Sequence, residues 1–189
     1  GQVLIDGKAG KAKNKIAVLL QENTIPNSLK VEELIAFFQS ISDNPLTNQE
    51  VQELLQFKED QYQQFADKLS GGQRRLLAFV LCLIDKPKIL FLDEPTSFLD
   101  YRHQSETLEL IERVNQKHGI TVLLVTHDIN LALHGAGEIA AVKQGEMVWH
   151  GSGTELLQKG LLKEIFEIEF ESFSSRLRRL PYVAPAELS

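Results

Sequence analysis

From Gly71 to Val125 the sequence changes period three times. Helical spacing runs from Gly71 to Ile84, an apolar run follows at Ile89–Leu92, helical spacing returns near Arg102 to Lys117, and a second apolar run occupies Thr121–Val125. Helices alternating with short apolar strands are the signature of βαβ units and a parallel sheet. The strand runs carry almost no alternation of polar and apolar residues, a pattern expected when helices cover both faces of a sheet. Further on, Ile139–Val142 and Glu146–Trp149 flank Gln144-Gly145 as a hairpin, and short helical segments are expected near Thr154 to Phe166.

The segment ahead of Gly71 is organised differently. Val3-Leu4-Ile5 before Asp6-Gly7 predicts a strand and turn, and Ile16–Leu20 a second strand ending at Gln21. From Ser28 to about Lys68 the spacing is helical. Val31, Leu34, Ile35 and Phe38 form one apolar stripe and Val51, Leu54 and Leu55 another, with Pro45 between them. This span, about residues 22–68, is expected to be an inserted helical subdomain. With 189 residues, 43% of them hydrophobic, the chain is long enough for one domain with a sizeable core. That domain is expected over 1–171, with 172–189 as a C-terminal tail in which Arg176, Arg178 and Arg179 are solvated charge.

Bulk properties exclude several classes. A net charge of −6 argues against binding nucleic acid through a globally basic surface. The longest unbroken apolar run, Leu76 to Ile84, is far shorter than the roughly 20 residues that cross a bilayer, and the first residues do not read as a signal peptide. The one cysteine, Cys82, lies inside that run, which rules out a disulfide framework or a cysteine-rich metal site and fits a buried thiol in a reducing compartment.

The chemistry concentrates in Leu69-Ser70-Gly71-Gly72-Gln73. Ser70 can cap the helix that follows, the two glycines let a ligand approach the backbone, and unpaired N–H groups with the helix dipole favour a phosphate. Taken alone, such a turn more often serves only as a cap. Sixteen residues after Gln73, however, begins Ile89-Leu90-Phe91-Leu92-Asp93-Glu94, a strand whose C-terminal end carries two adjacent carboxylates. Ligands of open α/β sheets bind at such strand ends. There Asp93 can hold Mg²⁺ and Glu94 can polarise an attacking water, the plain alternative being a solvated acidic turn.

This ordered series resembles the ABC (ATP-binding cassette) ATPase family over essentially the whole chain. Leu69–Gln73 matches the family's signature motif, Ile89–Glu94 its Walker B strand and catalytic glutamate, and Ser97-Phe98-Leu99-Asp100 its D-loop. Gln21 resembles the Q-loop glutamine and His127 the switch histidine. The resemblance implies a P-loop NTPase-like α/β core with an inserted α-helical subdomain, and ATP and Mg²⁺ as cofactors. It also implies roles for single residues: Glu94 and His127 catalytic, Asp93 and Gln21 at the metal, Ser70, Gly71, Gly72 and Gln73 on the phosphate of nucleotide held mainly by an opposite subunit, and Asp100 coupling two sites. The implied partners are a second ATPase subunit in a head-to-tail dimer and a transmembrane permease, with the chain cytoplasmic and peripheral on the inner face of the membrane. His103, His118, His134 and His150 have no motif context and read as surface or structural residues.

The sequence also departs from the family pattern. Gly7-Lys8 and Gly10-Lys11 are each followed by alanine and read as a polar turn, so no Gly-x-x-x-x-Gly-Lys-[Ser/Thr] phosphate loop is present, and the expectation is that this part lies upstream of Gly1. Without that strand and helix the sheet is expected to lack a central element. Ile16 through Leu76 looks more like drug-export ATPases, whereas Asp100 onward, with Gly151 and Phe166, looks more like siderophore or metal-chelate importers, which leaves transport direction open. Two other functions fit the same motifs: a soluble ABC ATPase without a membrane partner, and a non-hydrolysing module that lends its signature motif in trans. Retention of Glu94 and His127 weighs against the last.

Overall fold

In the computed structural model, which describes residues 4–5, 8–9, 16–21, 25–97, 99–174 and 180–186, two strands open the chain as an antiparallel pair, β1 (Leu4–Ile5) and β2 (Lys8–Ala9). Lys8, expected in a turn, thus lies in a strand, with Ile5 as its partner. Val3, Asp6-Gly7, Gly10-Lys11, Glu22, Phe98 and the arginines 176, 178 and 179 lie outside the described residues.

β3 (Ile16–Leu19) leads into the helical stretch: α1 (Val31–Ser40), α2 (Asn48–Leu55), α3 (Glu59–Tyr62) and a 3₁₀ turn at Ala66–Lys68. α2 starts in a capping box, Thr47 N–H donating to Glu50 Oε2 at 2.7 Å and Glu50 N–H to Thr47 Oγ1 at 3.2 Å. The apolar stripes are buried as their spacing requires, with Val31, Leu34, Ile35, Val51, Leu54 and Leu55 all at 7% exposure or less. Phe38 is partly buried against this core, whereas Phe37 is 54% exposed.

α4 (Gly71–Leu83), β4 (Ile89–Asp93), α5 (Tyr101–His118) and β5 (Thr121–Val125) then complete a three-stranded parallel sheet of order β3-β4-β5. The strand order advances in one direction only. Right-handed crossovers therefore put both connections on the same face. Leu19, Leu90 and Leu92, with Val122 and Leu124 beside them, accordingly share one cluster with Leu77, Val80 and Leu81 of α4 and Leu110 and Val114 of α5. Among the described residues the opposite face is exposed. Val18, Phe91 and Leu123 stand in one row across the three strands and are 51%, 37% and 47% exposed, and Leu20 and Val125 are exposed as well. Among the described residues the expectation that both faces are covered is not met, because the two one-way crossovers supply their helices to a single side.

The chain divides into two units, Gly1–Val125 and Thr126–Ser189. The second contains α6 (Ile129–Gly135), the hairpin β6 (Ile139–Lys143) and β7 (Glu146–Gly151), α7 (Gly153–Gln158), α8 (Leu162–Phe166), and the antiparallel pair β8 (Phe170–Phe173) and β9 (Tyr182–Pro185). Its core is Leu133, Leu156, Leu162 and Val183. Asn130 holds β9 as a strand neighbour would, its side-chain amide donating to Val183 O and accepting from Val183 N–H, each at 2.8 Å. Residues 180–186, read from the sequence as part of a tail, thus carry a strand with a buried valine.

Candidate active site

The signature turn is built as a helix start. Ser70 is the N-cap of α4, its Oγ accepting from Gln73 N–H at 3.2 Å while Gln73 Oε1 accepts from Ser70 N–H at 3.1 Å. This capping box leaves the Ser70 hydroxyl proton free to donate, and the N–H groups of Gly71 and Gly72 have no carbonyl one turn earlier in the helix to bond. Three donors, one hydroxyl and two backbone N–H groups, thus lie on one turn, with the positive end of the helix dipole behind them.

The two carboxylates sit where the strand rule puts them. Asp93 is the last residue of β4, paired with Val125 of β5, and Glu94 follows at the turn. Glu94 has φ +46°, a left-handed conformation unusual for a residue with a side chain. Its neighbours hold it there: its N–H donates to Val125 O at 2.9 Å, its carbonyl accepts from Ser97 N–H at 3.1 Å, and its Oε2 accepts from Ser97 Oγ at 3.3 Å. Strained backbone that persists because several contacts over-determine it is concentrated at functional sites. Gln21 lies exposed just past the end of β3, which pairs with β4 as far as Leu19 and Leu92.

Two residues to which the sequence assigns no site role, Arg75 and His103, tie these pieces together. Arg75, on the first turns of α4, donates to the carbonyls of Leu20, Gln21, Asp93 and Glu94. Burial holds its guanidinium below the usual arginine value, and the Asp93 carboxylate opposes that shift. The signal available in the sequence was an arginine at the edge of an apolar helix. His103 lies against Gly72, and its Nδ1 is 2.8 Å from Asp100 Oδ2. The available signal was its spacing of three from a helix-capping aspartate.

Asp100 is exposed and caps α5, its Oδ1 accepting from His103 N–H at 3.0 Å, and this bond with the His103 ring contact holds its carboxyl below the usual carboxylate range. The structure therefore brings Gln21, Asp93 and Glu94, through Arg75, to the helix that begins with Ser70–Gln73, and sets beside Gly72 the His103 ring that Asp100 holds. His127 falls in the second unit, exposed between Thr126 and Asp128, the latter capping α6 through Asn130 N–H and Leu131 N–H. Among the described residues no helix is long and apolar enough to cross a membrane.

The family model for ABC transporters matches residues 1–97. The iron(3+)-hydroxamate import ATP-binding protein FhuC of Bacillus subtilis is 33% identical over 185 residues, covering 90% of this chain and 69% of that protein. The petrobactin import ATP-binding protein FpuC of Bacillus anthracis is 30% identical over 203 residues, covering all of this chain and 74% of that protein. Among solved structures, an inward-facing metal-chelate type ABC transporter has TM-score 0.75 at 20% identity, covering 92% of this chain and 73% of the other, a likeness of fold. The ATP-binding cassette MJ0796, dimeric in a post-hydrolysis state with ADP and Pi, has TM-score 0.68 at 25% identity over 80% of this chain and 73% of its own. With the family model matched over residues 1–97, relatives 33% and 30% identical over most of the chain, and the same fold in the solved cassettes, the chain belongs to the ABC transporter family, as an ATP-binding, ATP-hydrolysing subunit.

Proposed function

We propose that this subunit works as half of a head-to-tail ATPase dimer on the cytoplasmic side of a permease, and that it drives import of a ferric siderophore or related metal chelate. The import direction and cargo class are supported by the relatives FhuC and FpuC, whose names specify iron(3+)-hydroxamate and petrobactin import. Dimerisation is supported by MJ0796, a dimeric cassette with ADP and Pi bound.

The observation that carries the chemical reading is the pinned Glu94. Held at φ +46° by Val125 O and Ser97, its carboxylate has a defined position at the strand tip, from which it orients and deprotonates an attacking water. Asp93 and Gln21 offer a carboxylate and an amide oxygen at neighbouring strand ends, a hard oxygen donor set of the kind Mg²⁺ takes alongside water and phosphate. Mg²⁺ bound there with ATP would supply neutralisation of the phosphate charge. Ser70, Gly71, Gly72 and Gln73 present hydroxyl and N–H donors to the phosphate of the opposite subunit's nucleotide, Asp100 lies at the junction between the two sites, and His127 contacts the γ-phosphate.

The test uses this chain fused to a segment that supplies a Gly-x-x-x-x-Gly-Lys-Ser loop ahead of Gly1. Mg²⁺-dependent hydrolysis is expected. Glu94→Gln should reduce turnover by roughly a hundredfold or more while ATP still binds, because glutamine keeps the size and one acceptor oxygen but takes no proton. Asp93→Asn should instead weaken Mg²⁺ dependence and turnover together. Undiminished hydrolysis by the Glu94→Gln protein would overturn the assignment.

A further inference from the structure

Strand pairing between β3 and β4 stops at Leu19 and Leu92, yet the residues that matter for chemistry, Gln21, Asp93 and Glu94, all come after that point. Something other than the sheet must set the spacing of these two chain ends. One side chain is placed to do so. Arg75 Nη1 donates to Leu20 O at 2.9 Å and to Gln21 O at 2.6 Å, and its Nη2 donates to Asp93 O at 3.2 Å and to Glu94 O at 3.3 Å. The four terminal N–H groups of the guanidinium thus meet two carbonyls from each strand end, in a planar fork that only arginine presents.

The arrangement is not cheap for the fold. Arg75 Nε is buried and has no hydrogen-bond partner among the described residues, and an orphaned polar atom costs free energy. A guanidinium retained under that cost, with its four other N–H groups all spent on main chain at the site, is doing a geometric task. Its base is equally informative, since Arg75 stands on α4, two residues beyond the Gln73 that closes the signature capping box.

We propose that Arg75 is a positioning residue for ATP hydrolysis, fixing the backbones of Gln21 and Glu94 relative to each other and to the helix that begins at Ser70–Gln73. A phosphate seated on that turn and the water-orienting glutamate are then joined through one rigid helix and one side chain within the same subunit. The inference rests on the catalytic reading of Glu94 and Gln21 given above.

Amide hydrogen exchange on the chain itself tests the geometry separately from that reading. Arg75→Met keeps the stem and removes the fork; Arg75→Lys keeps the charge but replaces the fork with a single ammonium. Arg74→Met, which removes the side-chain bond to Asp67 O at 2.8 Å, is the control for helix damage. With Arg75→Met, the amides of Glu94 and Ser97 should exchange roughly tenfold faster while those of Leu92 and Val51 change less than about twofold, and Arg75→Lys should restore less than half of the protection. Arg74→Met should leave all of them within about twofold of the parent. Uniform acceleration across the chain, no change at Glu94 and Ser97, or full rescue by lysine would each overturn the proposal. In the transporter ATPase, Arg75→Met should lower kcat roughly tenfold with KM for ATP within about twofold. An unchanged kcat would overturn the catalytic part, and failure of Glu94→Gln to stop hydrolysis would sink the site reading while leaving the exchange result standing.

Discussion

The imidazole of His103 lies so close to Gly72 that a Cβ at position 72 would stand 2.6 Å from His103 Cγ and 2.7 Å from its Nε2. The ring is not free to swing away without cost, because Asp100 holds both its Nδ1 and its backbone N–H. Alanine is intrinsically better than glycine in a helix by up to about 1 kcal/mol, so the sign of a substitution here reports on the ring. Gly72→Ala should destabilise the chain by roughly 1–2 kcal/mol in urea denaturation, as overpacking does. In a His103→Ala background the same change should be neutral or stabilising. That non-additivity would measure the contact directly.

Stability should fall at acid pH through a small set of capping carboxylates. Backbone N–H bonds hold Glu50 (from Thr47), Asp100 (from His103) and Glu155 (from Ser152) below the ordinary carboxylate range. A group whose folded value is depressed contributes stability that is fully present above its unfolded value, near pH 4, and is lost as pH falls through the folded value. A combined Glu50→Gln and Glu155→Gln variant should therefore be less stable near neutrality and show a flatter decline below about pH 4 when melting is followed against pH.

The one-sided sheet predicts opposite outcomes for neighbouring residues of one strand pair. Leu90→Ala removes a fully buried side chain from the face under α4 and α5 and should cost about 2–5 kcal/mol. Leu123, 47% exposed on the open face, should cost less than about 1 kcal/mol when changed to alanine. Equal costs in chemical denaturation would mean that the open face is covered in solution.

Cys82 should be a slow thiol. Burial pushes it up to about 11, the positive charge of Arg75 only partly opposing this, and its Sγ–H donates to Val18 O at 3.6 Å. Because the thiolate is the nucleophile, alkylation at pH 8 should be much slower in the folded chain than in denaturant. Comparable rates in the two states would contradict this.

Much of the architecture was legible because it rests on relations a few residues apart. Apolar spacing along Val31–Phe38, Val51–Leu55 and Gly71–Ile84 is a property of the helix itself, and the elements formed where that spacing placed them. Ser70 and Gln73 are three apart, and the capping box they form follows from that spacing alone. The position of Asp93 and Glu94 at a strand tip followed likewise from where the apolar run Ile89–Leu92 ends.

Other features depend on contacts between residues far apart in the chain, and local period carries no information about those. β3, β4 and β5 are apolar on both faces, so nothing in their residues says which face is packed; the one-way strand order and the handedness of the crossovers settle that Leu19, Leu90 and Leu92 go under the helices while Val18, Phe91 and Leu123 do not. The partners of Arg75 are main-chain carbonyls up to 55 residues away, and a carbonyl is the same in every residue type, so the pairing leaves no trace in composition. His103 on Gly72 joins the start of one helix to the start of another, and Asn130 on Val183 joins α6 to a strand 53 residues later. Each is decided by where the folded backbone returns to itself, which periodicity along the chain does not encode.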